Sequence, residues 1–183
     1  FIALVARRIK ECVPELSSCF QISRTHPDDI EQHSMTIVER LVPVLRNMSQ
    51  EEQMVVKRIV HASGDPQIVH LVKFSPSAIV SGVNGILTCR PILTDVHMVA
   101  AGINSNLART FGCSLGCALD EISSEDLKES DITRTAAGIR RLGANLNGAL
   151  VTIGNAPTAL LTLLDLVDND GIKPALIVGM PVG

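Results

Sequence analysis

Three short apolar runs constrain this chain most: Pro91-Ile92-Leu93-Thr94, Ala149-Leu150-Val151-Thr152-Ile153 and Ala175-Leu176-Ile177-Val178. None alternates with polar residues. A strand with one wet face alternates, whereas a strand that is apolar throughout is covered on both faces, as in a parallel sheet between helical layers. Segments read as helices separate the runs, at Val96–Ala101, around Thr133–Leu146 and over 158–167, and Ser114–Leu119 reads as a further strand. The expected class is therefore α/β, a three-layer sandwich around a mainly parallel sheet. Ligands of such folds bind beyond the carboxyl ends of the strands. Asp95, Asn155 and the Gly179–Gly183 loop lie there.

The N-terminal part reads as helical. Residues 1–20 suggest one short amphipathic helix and a turn at Pro14. Pro27-Asp28-Asp29 opens the next helix, with proline in the first turn and acids at the positive dipole end. Ile30, Ile37, Val38, Leu41, Val42 and Leu45 give it an apolar stripe, and Pro43 should bend or shorten its end. Ser49-Gln50-Glu51-Glu52 is a capping box. The helix that follows carries Met54, Val55, Ile59 and Ala62 on one face and stops at Gly64. Ser75-Pro76 should start another short helix.

Composition removes several function classes. The 183 residues include four Phe and no Tyr or Trp, so the core is aliphatic and no ring platform exists for single-stranded nucleic acid. Sixteen basic and nineteen acidic residues leave a net charge of -3 without a basic stripe, and the cluster Arg7, Arg8, Lys10 is too short to make a nucleic-acid surface. No apolar run reaches the roughly 18 residues that span a bilayer. Phe1–Ala6 precedes Arg7 and Arg8, the wrong order for a signal peptide. Cysteines at 12, 19, 89, 113 and 117, an odd number, read as reduced thiols of a cytoplasmic protein. Cys113 and Cys117, with His97 the only other ligand type nearby, fall short of the four ligands of a closed zinc site, and no metal is expected. The chain starts without Met and stops at Pro181-Val182-Gly183, so both ends read as trimmed.

Two places suggest chemistry. At Gly154-Asn155-Ala156-Pro157-Thr158, glycine can admit a ligand to the backbone, proline presets a helix start and Thr158 offers a hydroxyl beside free amides. The turn is either a cradle for a carboxylate or phosphate or a tight strand-to-helix connection; it lacks the glycine patterns of nucleotide loops. His61 falls in the last turn of its helix, where the negative dipole end suits an imidazolium, so it is either a general acid or a helix-capping side chain.

The string Ile153-Gly154-Asn155-Ala156-Pro157-Thr158-Ala159-Leu160, followed by Pro174-Ala175-Leu176-Ile177-Val178-Gly179-Met180-Pro181-Val182-Gly183, closely resembles the precorrin-8X methylmutase family. So do Ile59-Val60-His61-Ala62-Ser63-Gly64-Asp65, Phe74-Ser75-Pro76, Pro91–Asp95 with Met98-Val99-Ala100 and Gly102, and Thr133-Arg134 with Ala136-Ala137. The resemblance runs in order from about Pro27 to Gly183, which makes residues 27–183 the family domain and 1–26 an extension outside it.

This resemblance implies a flavodoxin-like fold, usually a homodimer, with a corrinoid (tetrapyrrole) substrate held near the subunit interface. It implies an isomerase of cobalamin biosynthesis that moves a methyl group from C-11 to C-12 of precorrin-8X or cobalt-precorrin-8, giving hydrogenobyrinate or cobyrinate, with no separate organic cofactor. The family's active-site histidine falls on His61. A methyl shift needs neither hydride nor nucleophile, and protonating or hydrogen-bonding a ring-C nitrogen is general-acid work. Ser34 carries over as a substrate contact, while His33 and Met35 stand where many relatives have other residues and His97 where they usually have an acid. Arg134 is a partner for the substrate's carboxylate arms. Asp95 could bond substrate, orient His61 or cap the following helix, and Gly154, Asn155 and Thr158 would line the substrate. The alternative is a corrinoid carrier that keeps the pocket without turnover. A nucleotide or phospho-response module is disfavoured, since neither a phosphate loop nor an acidic phosphorylation cluster is present.

Overall fold

Four parallel strands form one sheet in a computed structural model of the chain: β1 (Ile92–Thr94), β2 (Leu115–Cys117), β3 (Leu150–Ile153) and β4 (Leu176–Gly179), in the order β2-β1-β3-β4. The structure describes residues 27–123 and 132–181. The helix expected over 1–20, with Cys12 and Cys19, lies outside them, as do His26 and the last two residues of the Gly179–Gly183 loop. The chain divides into two units, Phe1–Lys73 and Phe74–Gly183, and the whole sheet belongs to the second.

Each apolar run became a strand; the central strands β1 and β3 are largely buried on both faces, as their lack of alternation suggests, whereas β4 at the sheet edge is half-exposed and Val178 is open to solvent. Leu93, Val151 and Ile153 join one core with Ile139 and Leu142 of helix α6 (Arg134–Leu142) and Leu163 and Leu166 of α7 (Pro157–Asn169). Ile139, Ile153 and Leu163 are fully buried, each contributing about 1.5–3 kcal/mol by leaving water. On the other face, Leu150 and Leu176 meet α3 (Ala78–Leu87) where it carries Gly85 and Gly82, so the helix backbone can lie close to the sheet. The connection from β1 to β2 carries two short helices, α4 (His97–Gly102) and α5 (Ser105–Thr110). The result is a helix–sheet–helix sandwich.

Chain order from β1 runs outward to β2, then returns across β1 to β3 and β4. The direction of winding therefore reverses between β1 and β3, and the crevice beyond their carboxyl ends is the switch point where such folds place ligands.

Unit Phe1–Lys73 presents α1 (Pro27–Leu41) and α2 (Gln50–Ser63). Proline 43 ends α1 as anticipated, and Pro43–Asn47 continues as a 3-10 helix. The capping box forms in both directions: Ser49 N donates to Glu52 Oε2 at 3.0 Å, and Glu52 N donates to Ser49 Oγ at 3.2 Å. Gly64 closes α2 at φ 68, in the left-handed region. The expected stripe of α1 is buried at Val38 and continues at Val42 and Leu45, but Leu41 is exposed.

Two expectations need correction. The buried face of α2 is Val56 and Val60, whereas Met54, Val55 and Ala62 are exposed. Both stripes have helical spacing, so spacing cannot choose between them; the packing of α1 on α2 does. Helix α3 starts at Ala78 instead of Ser75, because Ser75 and Pro76 are spent on a turn closed by Ala78 N donating to Ser75 O at 3.0 Å. Helix α5 was not anticipated, although Asn104 caps it by accepting from Leu107 N at 3.0 Å, a signal present in the sequence.

Candidate functional site

The predicted site residues fall into clusters in the two units. In the first unit, Ser34 of α1 and His61 of α2 are joined, with Ser34 Oγ 2.7 Å from His61 Nδ1. An ion pair between Lys57 and Glu39 links the same two helices. His61 occupies the last turn of α2 and is exposed, while Ser34 is half-buried. A hydroxyl can donate to Nδ1 or accept from it. When it donates, the ring proton sits on Nε2; when the ring is an imidazolium, Nε2 again carries a proton. Nε2 makes no hydrogen bond among the described residues, so in these two states the ring offers an N–H to a ligand, whereas a neutral ring that donates from Nδ1 to Ser34 offers a lone pair there. Ser34, anticipated as a substrate contact, is thus a partner that orients the anticipated acid.

In the second unit, Asp95 leaves β1 at the switch point and is fully buried. Its Oδ1 accepts from Gly154 N at 3.2 Å, and its Oδ2 accepts from Asn155 N at 2.9 Å and from Ala156 N at 2.8 Å. This bears on three expectations. Asp95 does not cap α4, whose cap is Val96. Buried and accepting from three amides, it supports the turn. The amides of Gly154, Asn155 and Ala156 hold this inner carboxylate and leave none of the three for a substrate carboxylate. Gly154 is required for packing, since a Cβ there would come 2.7 Å from Val99 Cγ2 of α4. No local signal shows the arrangement, because the partners are 59 to 61 residues apart and meet only when β1 and β3 pair with Thr94 opposite Thr152.

What the turn presents are side chains. Asn155 is half-buried beside Asp95's amide contacts. Thr158, in the first turn of α7, lies 2.7 Å from Thr133 Oγ1, and Thr133 caps α6 by accepting from Ala136 N at 3.3 Å. Thr135 Oγ1 stands 3.2 Å from the Thr133 hydroxyl. Three hydroxyls therefore join the N-terminal ends of α6 and α7, both positive dipole ends. Arg134, first residue of α6, is exposed and has no ion pair among the described residues. Thr133 and Thr135 were missed by sequence reasoning as site residues; Thr133 was legible as an N-cap, but its link to Thr158 was not. The second cluster thus combines a guanidinium, hydroxyls and two helix N-termini, a set suited to carboxylates.

The sequence profile of the precorrin-8X methylmutase family matches residues 29–183. A cobalt-precorrin-8 methylmutase of Leptospira interrogans is 39% identical over 158 residues, covering 85% of this chain and 71% of the relative. A precorrin-8X methylmutase of Sinorhizobium is 36% identical over 155 residues, covering 84% of this chain and 73% of the relative. Among solved structures, the precorrin-8X methylmutase of Thermus thermophilus superimposes with a TM-score of 0.75 at 34% identity, over 85% of this chain and 75% of that one. With the profile matched along most of its length and relatives this close in both sequence and fold, the chain belongs to the precorrin-8X methylmutase family.

Proposed function

We propose that this protein is an isomerase of cobalamin biosynthesis that moves a methyl group from C-11 to C-12 of precorrin-8X or cobalt-precorrin-8. The observation that carries the mechanism is the Ser34–His61 contact at 2.7 Å, which fixes the imidazole and leaves Nε2 for the substrate. His61 serves as general acid: its Nε2–H protonates or hydrogen-bonds a ring-C nitrogen and draws electron density from the carbon that receives the methyl. The proton returns to Nε2 when the product forms, so the reaction is balanced within one substrate. Within the second unit, Arg134, Thr158 and Asn155 are suited to carboxylate arms, which the helix N-termini also favour.

The test is the absorbance change of the corrinoid with purified protein, offered both metal-free and cobalt-loaded substrate. His61→Asn should lower turnover by about 10²–10⁴-fold, the usual share of general acid catalysis, while product binding persists. Ser34→Ala should lower turnover and spare product affinity, since it loosens the ring without removing it. Turnover of His61→Asn within about tenfold of the parent protein would remove the acid role. Product binding by the parent protein without any turnover would favour a corrinoid carrier.

The protein is further proposed to act as a cytoplasmic homodimer. Among the described residues no helix is long and apolar enough to cross a membrane. Val80, Val83 and Leu87 lie exposed along one side of α3, an apolar face a second subunit could cover. Sedimentation that finds an active monomer would refute the dimer.

A further inference from the structure

Strands β1 and β2 leave the sheet side by side, with Thr94 paired to Cys117. Three residues beyond Thr94 stands His97, the first residue of α4, and three residues beyond Cys117 stands Asp120, in the 3-10 helix Ala118–Glu121. The register thereby brings an imidazole, a thiol and a carboxylate to one spot at the carboxyl edge. One ligand atom from each lies within 4.8 Å of the other two. His97 Nε2 and Asp120 Oδ1 are already 2.7 Å apart, and both side chains are more than half exposed, whereas Cys117 is buried beneath them.

We propose that His97, Cys117 and Asp120 form a binding site for a divalent cation of the zinc class. Nitrogen, sulfur and oxygen donors together suit borderline ions such as Zn²⁺ and Co²⁺ and do not suit Mg²⁺ or Ca²⁺, which take oxygen ligands alone. Tetrahedral bonds of roughly 2.0–2.3 Å place donor atoms about 3.3–3.7 Å apart. The exposed His97 and Asp120 can open to that separation, while the sulfur stays fixed on its strand. On binding, the cation takes the place of the proton between His97 Nε2 and Asp120, the imidazole stays neutral with its proton on Nδ1, and the Cys117 thiol proton and any excess imidazolium proton leave to solvent. Three protein ligands leave a fourth position for water or an anionic oxygen, the pattern of open sites. Cys113, the thiol that sequence spacing paired with Cys117, is not a ligand, because its Sγ turns to the carbonyl of Ile86 at 3.6 Å.

None of the three residues takes part in the acid or carboxylate contacts proposed above, so this site and the isomerase reading stand or fall separately. The test uses the whole chain, kept reduced with a phosphine and titrated with Co²⁺. Expected are tetrahedral d–d bands and a thiolate-to-cobalt charge-transfer band, both displaced by Zn²⁺ and both lost in Cys117→Ser. His97→Ala and Asp120→Asn alter exposed side chains, so folding is retained, and each should weaken Zn²⁺ binding by more than about tenfold, the least that even an indirect partner of a metal contributes. A charge-transfer band that survives Cys117→Ser would overturn the proposal, since other thiols would then hold the cobalt. So would a Zn²⁺ affinity within about twofold of the parent in His97→Ala, or no Co²⁺ signal at all, either of which would leave His97 and Asp120 an ion pair only.

Discussion

Asp95→Asn is the substitution on which the account of the switch point depends. The exchange conserves volume at a fully buried position, so packing is not the variable. The carboxylate accepts three amide protons at 3.2, 2.9 and 2.8 Å. An asparagine that keeps its oxygen toward Asn155 and Ala156 turns its NH₂ toward Gly154, placing donor against donor. Two charge-assisted bonds become neutral ones, and one half-buried amide loses its acceptor. A buried donor left unsatisfied costs about 1–3 kcal/mol, and the two weakened bonds add up to roughly 1 kcal/mol more. A net loss of about 2–3 kcal/mol corresponds to a melting temperature lower by roughly 4–12 °C for a chain of this size. Far-ultraviolet circular dichroism is the suitable probe, because the sequence has no Trp or Tyr for fluorescence. A shift below about 1 °C would refute the reasoning, for it would mean that the turn holds without its inner carboxylate.

Arg134→Ala should weaken product binding most at low salt and little at high salt, because it removes an exposed full charge; isothermal titration across an ionic-strength series measures this, and a salt-independent loss would contradict the charge role. Gly138→Ala should destabilise by about 1–3 kcal/mol or more, since its Cβ would overlap the backbone carbonyl of Ala118, which cannot move aside as a side chain can. Urea denaturation measures that loss, and an unchanged midpoint would show that α6 can shift away from the 3-10 helix.

The layers of the fold were legible because three runs lack alternation, and strands covered on both faces, as β1 and β3 are, cannot hide that. Capping boxes are local, so Ser49–Glu52 and the start of α2 were legible too. The buried face of α2 was not, since two stripes of equal quality compete and only the neighbouring helix decides. At the site, the family's motifs pointed to His61, and the Ser34 hydroxyl against its ring comes from a helix 27 residues away. Asp95 was noticed as an acid at the end of a strand, but its partners depend on which strands become neighbours. The turn after β3 illustrates both limits: Gly154 and Thr158 stand out in the sequence, yet the glycine makes room for Val99 and the amides face inward. Thr133, the hydroxyl that meets Thr158, belongs to another helix altogether.

The bridge from Asp95 to the turn after β3 also bears on how the molecule opens. Amides in a strand-exit turn ordinarily exchange with solvent through small local fluctuations. Here the amides of Asn155 and Ala156 are capped by a fully buried side chain anchored on the neighbouring strand. No fraying of the turn alone can release them while Asp95 stays with β1. Their exchange therefore requires β1 and β3 to separate, an event that dismantles the centre of the sheet. A connection that looks peripheral in the chain is thus among the last parts of the domain to open, and its protons report the stability of the sheet interior.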